Sequence, residues 1–328
     1  MDDRAGISAR FTLRLLRHAR DPRFLCAVMA FVCVAIALFY PTLKLSRPVF
    51  DHIIVVDITR SMNVTDYRIG DRPTSRLEMV KSAMRSALRE LPCDSRLGLG
   101  LFTGRQSFLL FEPIEVCSGF EAIDTAMERI DWRMAWDADS RIADGLYDAL
   151  THLQDLNANL VFVTDGHEAP PLNPRYKREF DSVKGKLKGI VIGAGGLNLS
   201  PIPKFNERGE AIGFYSEEDV PHRSTFGLPP KPPSEIEGYH ARNAPFGSEL
   251  VIGTEHLSSL KEDYLRGLAE EAGLLYSRLE NLEDLGRALQ HSEFARFETV
   301  ASDIRWLPAG LALAALVVLY GVLPFKLR

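Results

Sequence analysis

Residues 53 to 62 read IIVVDITRSM, a run of branched aliphatic residues that ends in Asp57 and then sets hydroxyls at Thr59 and Ser61. A carboxylate followed by hydroxyls at every second position can point several oxygens one way, because side chains in extended chain alternate with a period of 2. A second apolar run, NLVFVTD, also ends in an acid, Asp165, and Ser140 supplies one more hydroxyl from a loop just ahead of a helical segment. Asp57, Thr59, Ser61, Ser140 and Asp165 form an all-oxygen donor set. Such a set suits a hard cation, Mg²⁺ or alternatively Mn²⁺ or Ca²⁺, and does not suit zinc.

The elements that must position these residues read as an α/β domain over about residues 51–290. Short apolar runs alternate with helix-period segments, the pattern of a doubly wound, mostly parallel sheet covered on both faces. Strands are expected at 51–58, 159–165, 188–193 and 274–278. A helix over 77–91 opens on the capping box Ser75-Arg76-Leu77-Glu78 and carries a stripe of Leu77, Val80, Met84, Leu88 and Leu91. Further helices are expected at 119–130, 142–153, 261–272 and 280–289. RLGLGLF and FLLFEPI flank the turn Thr103–Ser107 and read as an antiparallel edge hairpin. Cys93 and Cys117 lie nearly equidistant from that turn, so the hairpin brings them opposite each other as a disulfide. An insert over 198–250 interrupts the regularity with a hairpin, turning at Glu207-Arg208-Gly209, and a proline-rich stretch. Ligand sites in open parallel sheets lie outside the carboxyl ends of the strands. Asp57 and Asp165 both end strands there, and the insert leaves the same rim.

The chain has 328 residues, 46% hydrophobic and 25% charged, with a formal net charge of −5, which gives no footing for nucleic acid. Two uncharged stretches, 24–43 and 306–325, are each about 20 residues, the length of a transmembrane helix. Arg4, Arg10, Arg14, Arg17, Arg20 and Arg23 precede the first stretch and only Lys44 and Arg47 follow it, so the basic N-terminus 1–23 is expected to stay cytoplasmic. Both termini are then cytoplasmic, in an inner-membrane protein of two spans whose central domain is periplasmic, where a disulfide persists. Gly310 and Ala314 form a small-xxx-small pair in the second span.

Other chemistry reads weakly. His167 and Glu168 could serve as base and acid, but no nucleophile or substrate pocket is legible beside them, and the chain reads as a binding protein rather than an enzyme. Gly193-Ala194-Gly195-Gly196 lacks the spacing of a phosphate cradle and reads as the exit from a strand. His52 reads as structural, and Asn63-Val64-Thr65 matches a glycosylation acceptor.

IIVVDITRSM, Ser140 ahead of IADGLYDAL, and LVFVTDGHE resemble the metal-ion-dependent adhesion site of von Willebrand factor type A domains. The resemblance implies a metal held by Asp57, Thr59, Ser61 and Ser140, with Asp165 acting through water, and a partner's Asp or Glu carboxylate completing the coordination. Thr59 stands where that family more often has serine, and Ser140 where it has threonine. LPCDSRLGLGLFTG, FEPIEVCSGF, IDWRMAW, VTDGHEAPPL and PIPK further resemble the membrane-anchored accessory proteins of methanol dehydrogenase gene clusters. That likeness implies an assembly factor for methanol oxidation, assisting maturation of the periplasmic PQQ-dependent methanol dehydrogenase or insertion of its calcium or lanthanide, alongside other cluster-encoded accessory proteins. The alternative is an envelope scaffold or stress-complex subunit of the same domain type, with no quinoprotein client.

Overall fold

The computed structural model describes residues 21–323 apart from 138, 170–176, 207, 217–218 and 220–253. Most of the arginine-rich N-terminus, the proline-rich part of the insert and the last residues of the second apolar stretch lie outside the described residues. The chain divides into two compact units, Pro48–Arg296 and Met1–Arg47 with Phe297–Arg328.

The central sheet is built on strands β1 (Thr42–Asp57), β2 (Arg96–Thr103), β3 (Gln106–Glu115), β4 (Asn159–Thr164) and β5 (Gly189–Ala194). The hairpin β6 (Pro203–Phe205) and β7 (Ala211–Phe214) follows, then β8 (Leu275–Leu279) and β9 (Ala295–Asp303). The order β8-β5-β4-β1-β2-β3 makes a seven-stranded sheet, with β9 pairing β1 off this path. Neighbours run parallel from β8 to β2, and only the β2–β3 hairpin on the path is antiparallel.

Both faces of the sheet are covered because β1 is apolar at successive positions rather than alternate ones. Ile54 and Val56 pack with Leu77, Val80 and Met84 of α2 (Arg76–Glu90), Ile123 and Met127 of α3 (Phe120–Arg129), and Leu285 and Leu289 of α6 (Leu282–Leu289). Ile53 and Val55 point the other way, to Leu146 and Leu150 of α4 (Ile142–His152) and Leu265 and Leu268 of α5 (Glu262–Ala272). This is the expected doubly wound arrangement.

The expected cap of α2 forms by half. Ser75 Oγ accepts from the Glu78 N–H at 3.2 Å, while the Glu78 carboxylate turns to Lys81 at 2.6 Å. Cys93 and Cys117 are disulfide-bonded with Cα atoms 5.3 Å apart, as the hairpin register requires. The insert hairpin also forms, closed by Asn206 N–H to Glu210 O at 3.0 Å, although Glu207 of its turn lies outside the described residues. Asn63 is buried, so the sequon is not a surface acceptor.

In the smaller unit, α1 (Pro22–Leu38) and α7 (Trp306–Val317) pack through Ala30, Cys33, Ala312 and Ala315. The small-residue contact therefore lies at Ala312 and Ala315 rather than at Gly310 and Ala314. α1 begins on an Asp21 cap and stops earlier than the 24–43 expected, because Tyr40 takes a left-handed φ of 50° before Pro41, a position at which helix is disfavoured. α7 continues as a π-helical turn over Val318–Val322. Among the described residues no helix is long and apolar enough to cross a membrane. The outward faces of the pair are nonetheless apolar, with Phe31, Leu313 and Tyr320 well exposed.

Candidate metal centre

The carboxyl ends of β1 and β4 meet at one rim. Val56 pairs with Val163, so the next residues along, Asp57 and Thr164, stand side by side. The Thr164 hydroxyl donates to Asp57 Oδ2 at 2.6 Å, and the Thr59 N–H donates to Asp57 Oδ1 at 2.8 Å. The second bond folds the chain back into a 3₁₀ turn over Arg60–Asn63. Thr59 and Ser61 are thus not a continuation of strand alternation. They face each other across the start of that turn, with their hydroxyls 3.4 Å apart.

Asp165 follows directly on β4. Its Oδ1 accepts the His167 N–H at 2.9 Å, and Ser61 hydrogen-bonds the same carboxylate. Ser140 arrives from the far side, held by a backbone exchange with Ala169 (2.7 and 2.9 Å), and Arg141 N–H donates to Gly104 O at 2.7 Å. The structure therefore gathers Asp57, Thr59, Ser61 and Asp165 into one cluster, and Ser140 lines the same cleft as Thr59 and Ser61.

That cleft has a volume of about 70 Å³ and is closed on the insert side by Ile202, Tyr215, Asp219, Glu255 and His256. It is far smaller than a drug-sized pocket, typically about 300 Å³ or more, and suits a hydrated ion or a single carboxylate. The insert hairpin is fastened over the rim by aromatic contacts. Phe205 stacks on Trp132 at 5.0 Å, and Arg60 lies over the Tyr215 ring at 5.4 Å.

The donors present fit a hard cation. Ser140 Oγ is inaccessible and has no hydrogen-bond partner, an arrangement that costs free energy unless something else satisfies it. Burial, together with the charge of Asp165, pushes the Asp57 carboxyl up. Burial would raise Asp165 as well, but the Arg76 guanidinium, His167 and the hydrogen bonds to the carboxylate together hold it down. Elsewhere among the described residues, metal-type donors also converge at Cys93, Glu115 and Cys117. Both sulfurs there are spent on the disulfide, and Glu115 accepts the N–H groups of Asp94, Cys117 and Ser118.

Two features of the rim were not legible in the sequence. Thr164 precedes an expected ligand and could have been inferred from the strand register once the pairing was known. Arg76, the first residue of α2, is fully buried and paired with Asp66 and Asp165, though a charge at the start of an amphipathic helix ordinarily faces solvent. His167 lies buried and Glu168 half-buried at the rim. Burial pushes the His167 imidazole down, and Glu168 accepts from Tyr264 Oη at 2.6 Å and from the Ala143 N–H at 3.0 Å. The latter carboxylate ties the loop after β4 to the start of α4.

A doubly wound α/β domain with an acid- and hydroxyl-lined rim at its strand ends is the class that fold and site define. Residues 52–167 match the family model described as von Willebrand factor type A domain, and all five rim residues fall inside the match. This segment of the chain is therefore similar to von Willebrand factor type A domains. No curated protein matches the chain. Among solved structures it is similar to an aerotolerance-related membrane protein from Bacteroides fragilis, at 16% identity over 73% of this chain and 96% of that one, TM-score 0.46. It is similar also to BatB from Bacteroides thetaiotaomicron, at 16% identity over 73% and 95%, TM-score 0.46. An uncharacterised membrane-spanning protein from Vibrio fischeri matches at 19% identity over 74% and 97%, TM-score 0.28.

Proposed function

We propose that this chain is a membrane-anchored, periplasmic protein-binding module that holds a divalent cation, Mg²⁺ first, through Asp57, Thr59, Ser61 and Ser140, with Asp165 behind them. The observation that carries the reading is the orphaned Ser140 Oγ, inaccessible and unpartnered in the cleft that Thr59 and Ser61 line. A bound ion there would supply Lewis-acid attraction for a carboxylate brought by a partner. The protein's own groups shape what can enter. Neutral hydroxyls leave the ion's charge largely uncompensated, and Tyr215 and Ile202 of the insert restrict the approach to something as slim as one Asp or Glu side chain.

Membrane attachment is supported by the apolar outer faces of α1 and α7 and by the basic N-terminal flank. The disulfide supports an oxidising compartment. The client is the periplasmic methanol dehydrogenase, whose maturation or metal loading the module assists; this part rests on the resemblance of LPCDSRLGLGLFTG and VTDGHEAPPL alone.

The test is affinity purification of the tagged full-length chain from gently solubilised membranes, with Mg²⁺ or with chelator. Methanol dehydrogenase recovered with Mg²⁺ and lost with chelator is the expected result. Recovery of only other envelope proteins, indifferent to chelator, would favour the scaffold role instead.

A further inference from the structure

Arg76 is an expensive residue to keep where it is. Its side chain is fully buried, and it sits at the first position of α2, where the helix dipole disfavours a cation. Five hydrogen bonds engage its guanidinium. Nε and Nη2 donate to Asp66 Oδ2 at 2.9 and 2.7 Å, Nη1 donates to Asp165 Oδ2 and to Ser258 Oγ, and Nη2 also reaches Ser258 O at 3.3 Å. Ser258 Oγ in turn donates to Asp165 Oδ2 at 3.1 Å.

The backbone is shaped around this cation. Gly195 has φ of 140°, and a Cβ there would come within 2.8 Å of Arg76 Nε. The Gly196 N–H donates to Asp66 Oδ2 at 2.8 Å, locking the carboxylate that shares the guanidinium. Gly195 thus leaves room for the arginine, and the Gly196 amide holds the arginine's acid partner.

We propose that Arg76 is the resident counter-charge of the rim, a residue that weakens and so sets the cation affinity of the Asp57 centre and keeps its ion exchangeable. The proposal rests on the reading of the rim as a cation site. With Oδ2 of Asp165 given to Arg76 and Oδ1 to the His167 N–H, Asp57 is left as the carboxylate of the cluster that no side-chain cation neutralises. Asp66 moderates the effect by drawing part of the guanidinium charge away from Asp165.

The test is Mn²⁺ binding, by titration followed by electron paramagnetic resonance, to the purified full-length chain and its variants in detergent. Removing the Arg76 charge should tighten binding, since a unit charge a few ångströms from a divalent ion is worth roughly tenfold or more even at an effective dielectric of about 20. Arg76→Gln is therefore expected to bind Mn²⁺ at least about tenfold more tightly. Asp66→Asn, which keeps an oxygen acceptor for Arg76 and Gly196 but concentrates the charge on Asp165, is expected to bind several-fold more weakly. Opposite signs mark an electrostatic role, because structural damage weakens both. Wild-type affinity in both variants, or weakening in both, overturns the proposal, and if Arg76→Gln does not fold, unchanged or tighter binding by Asp66→Asn does so by itself. Asp57→Ala separates this from the reading beneath it. Wild-type affinity in Asp57→Ala defeats the cation site, whereas its loss there beside unresponsive Arg76 and Asp66 variants defeats only the counter-charge.

Discussion

The Thr164 hydroxyl donates to Asp57 Oδ2 at 2.6 Å and so fastens the ends of two neighbouring parallel strands at the proposed metal centre. The bond is buried and its acceptor is a carboxylate. Thr164→Val should cost about 1–3 kcal/mol, the range for leaving a buried acceptor without its donor, while Thr164→Ser should recover most of it. Urea unfolding of the three proteins checks this, and a Thr164→Val protein as stable as wild type would show that the bond contributes nothing.

Gly195 is expected to tolerate no side chain. Its backbone conformation is one that only glycine adopts readily, and an alanine Cβ would press on Arg76. Gly195→Ala should lose about 1–3 kcal/mol from the backbone alone. Gly213→Ala, at a comparable φ of 124° but with open space around the Cβ, should lose less. Thermal unfolding of the pair measures the part due to the clash.

The Cys93–Cys117 bridge closes a loop of 24 residues between the end of α2 and the end of the edge hairpin. Reduction, or replacement of both cysteines by alanine, should destabilise the domain by about 2–4 kcal/mol. Thiol labelling of the protein prepared from its native compartment should find neither cysteine free. Labelling of both would contradict the bridge.

His52 is expected to make the domain acid-sensitive. Its ring is fully buried, Nε2 donates to Leu289 O at 2.8 Å, and desolvation lowers its pKa to about 4 from an ordinary 6.5. A depressed folded-state value means that stability is fully present above about pH 6.5 and is lost as pH falls toward 4. A loss of roughly 3 kcal/mol across that window is expected from this residue. His52→Gln should flatten the profile, and a wild-type slope in the variant would assign the acid sensitivity to other groups.

Much of this architecture was legible because apolar runs such as IIVVD and NLVFVT are continuous enough to demand burial on both faces, and each ends where polarity changes abruptly. The disulfide was legible because turn and cysteines are spaced symmetrically along one hairpin. What the residues alone did not disclose is three-dimensional in origin. Arg76 looks like any charged residue at a helix start until Asp66, Asp165, Ser258 and Gly195 converge on it from four separate segments. The alternation of Asp57, Thr59 and Ser61 suggested an extended strand. The Asp57 carboxylate instead captures the Thr59 amide and turns the chain, bringing the hydroxyls together by another route. The early end of α1 follows from the Tyr40–Pro41 junction, a local constraint that hydrophobicity does not register.

The central claim is that the rim holds a cation through Asp57 and the three hydroxyls. Calorimetric titration of Mg²⁺ into the full-length chain, Ser140→Ala and Asp57→Ala tests it most directly. The account predicts a single saturable site in the wild type, weaker binding in Ser140→Ala and none in Asp57→Ala. Absence of binding in the wild type, or equal binding in all three proteins, would contradict it.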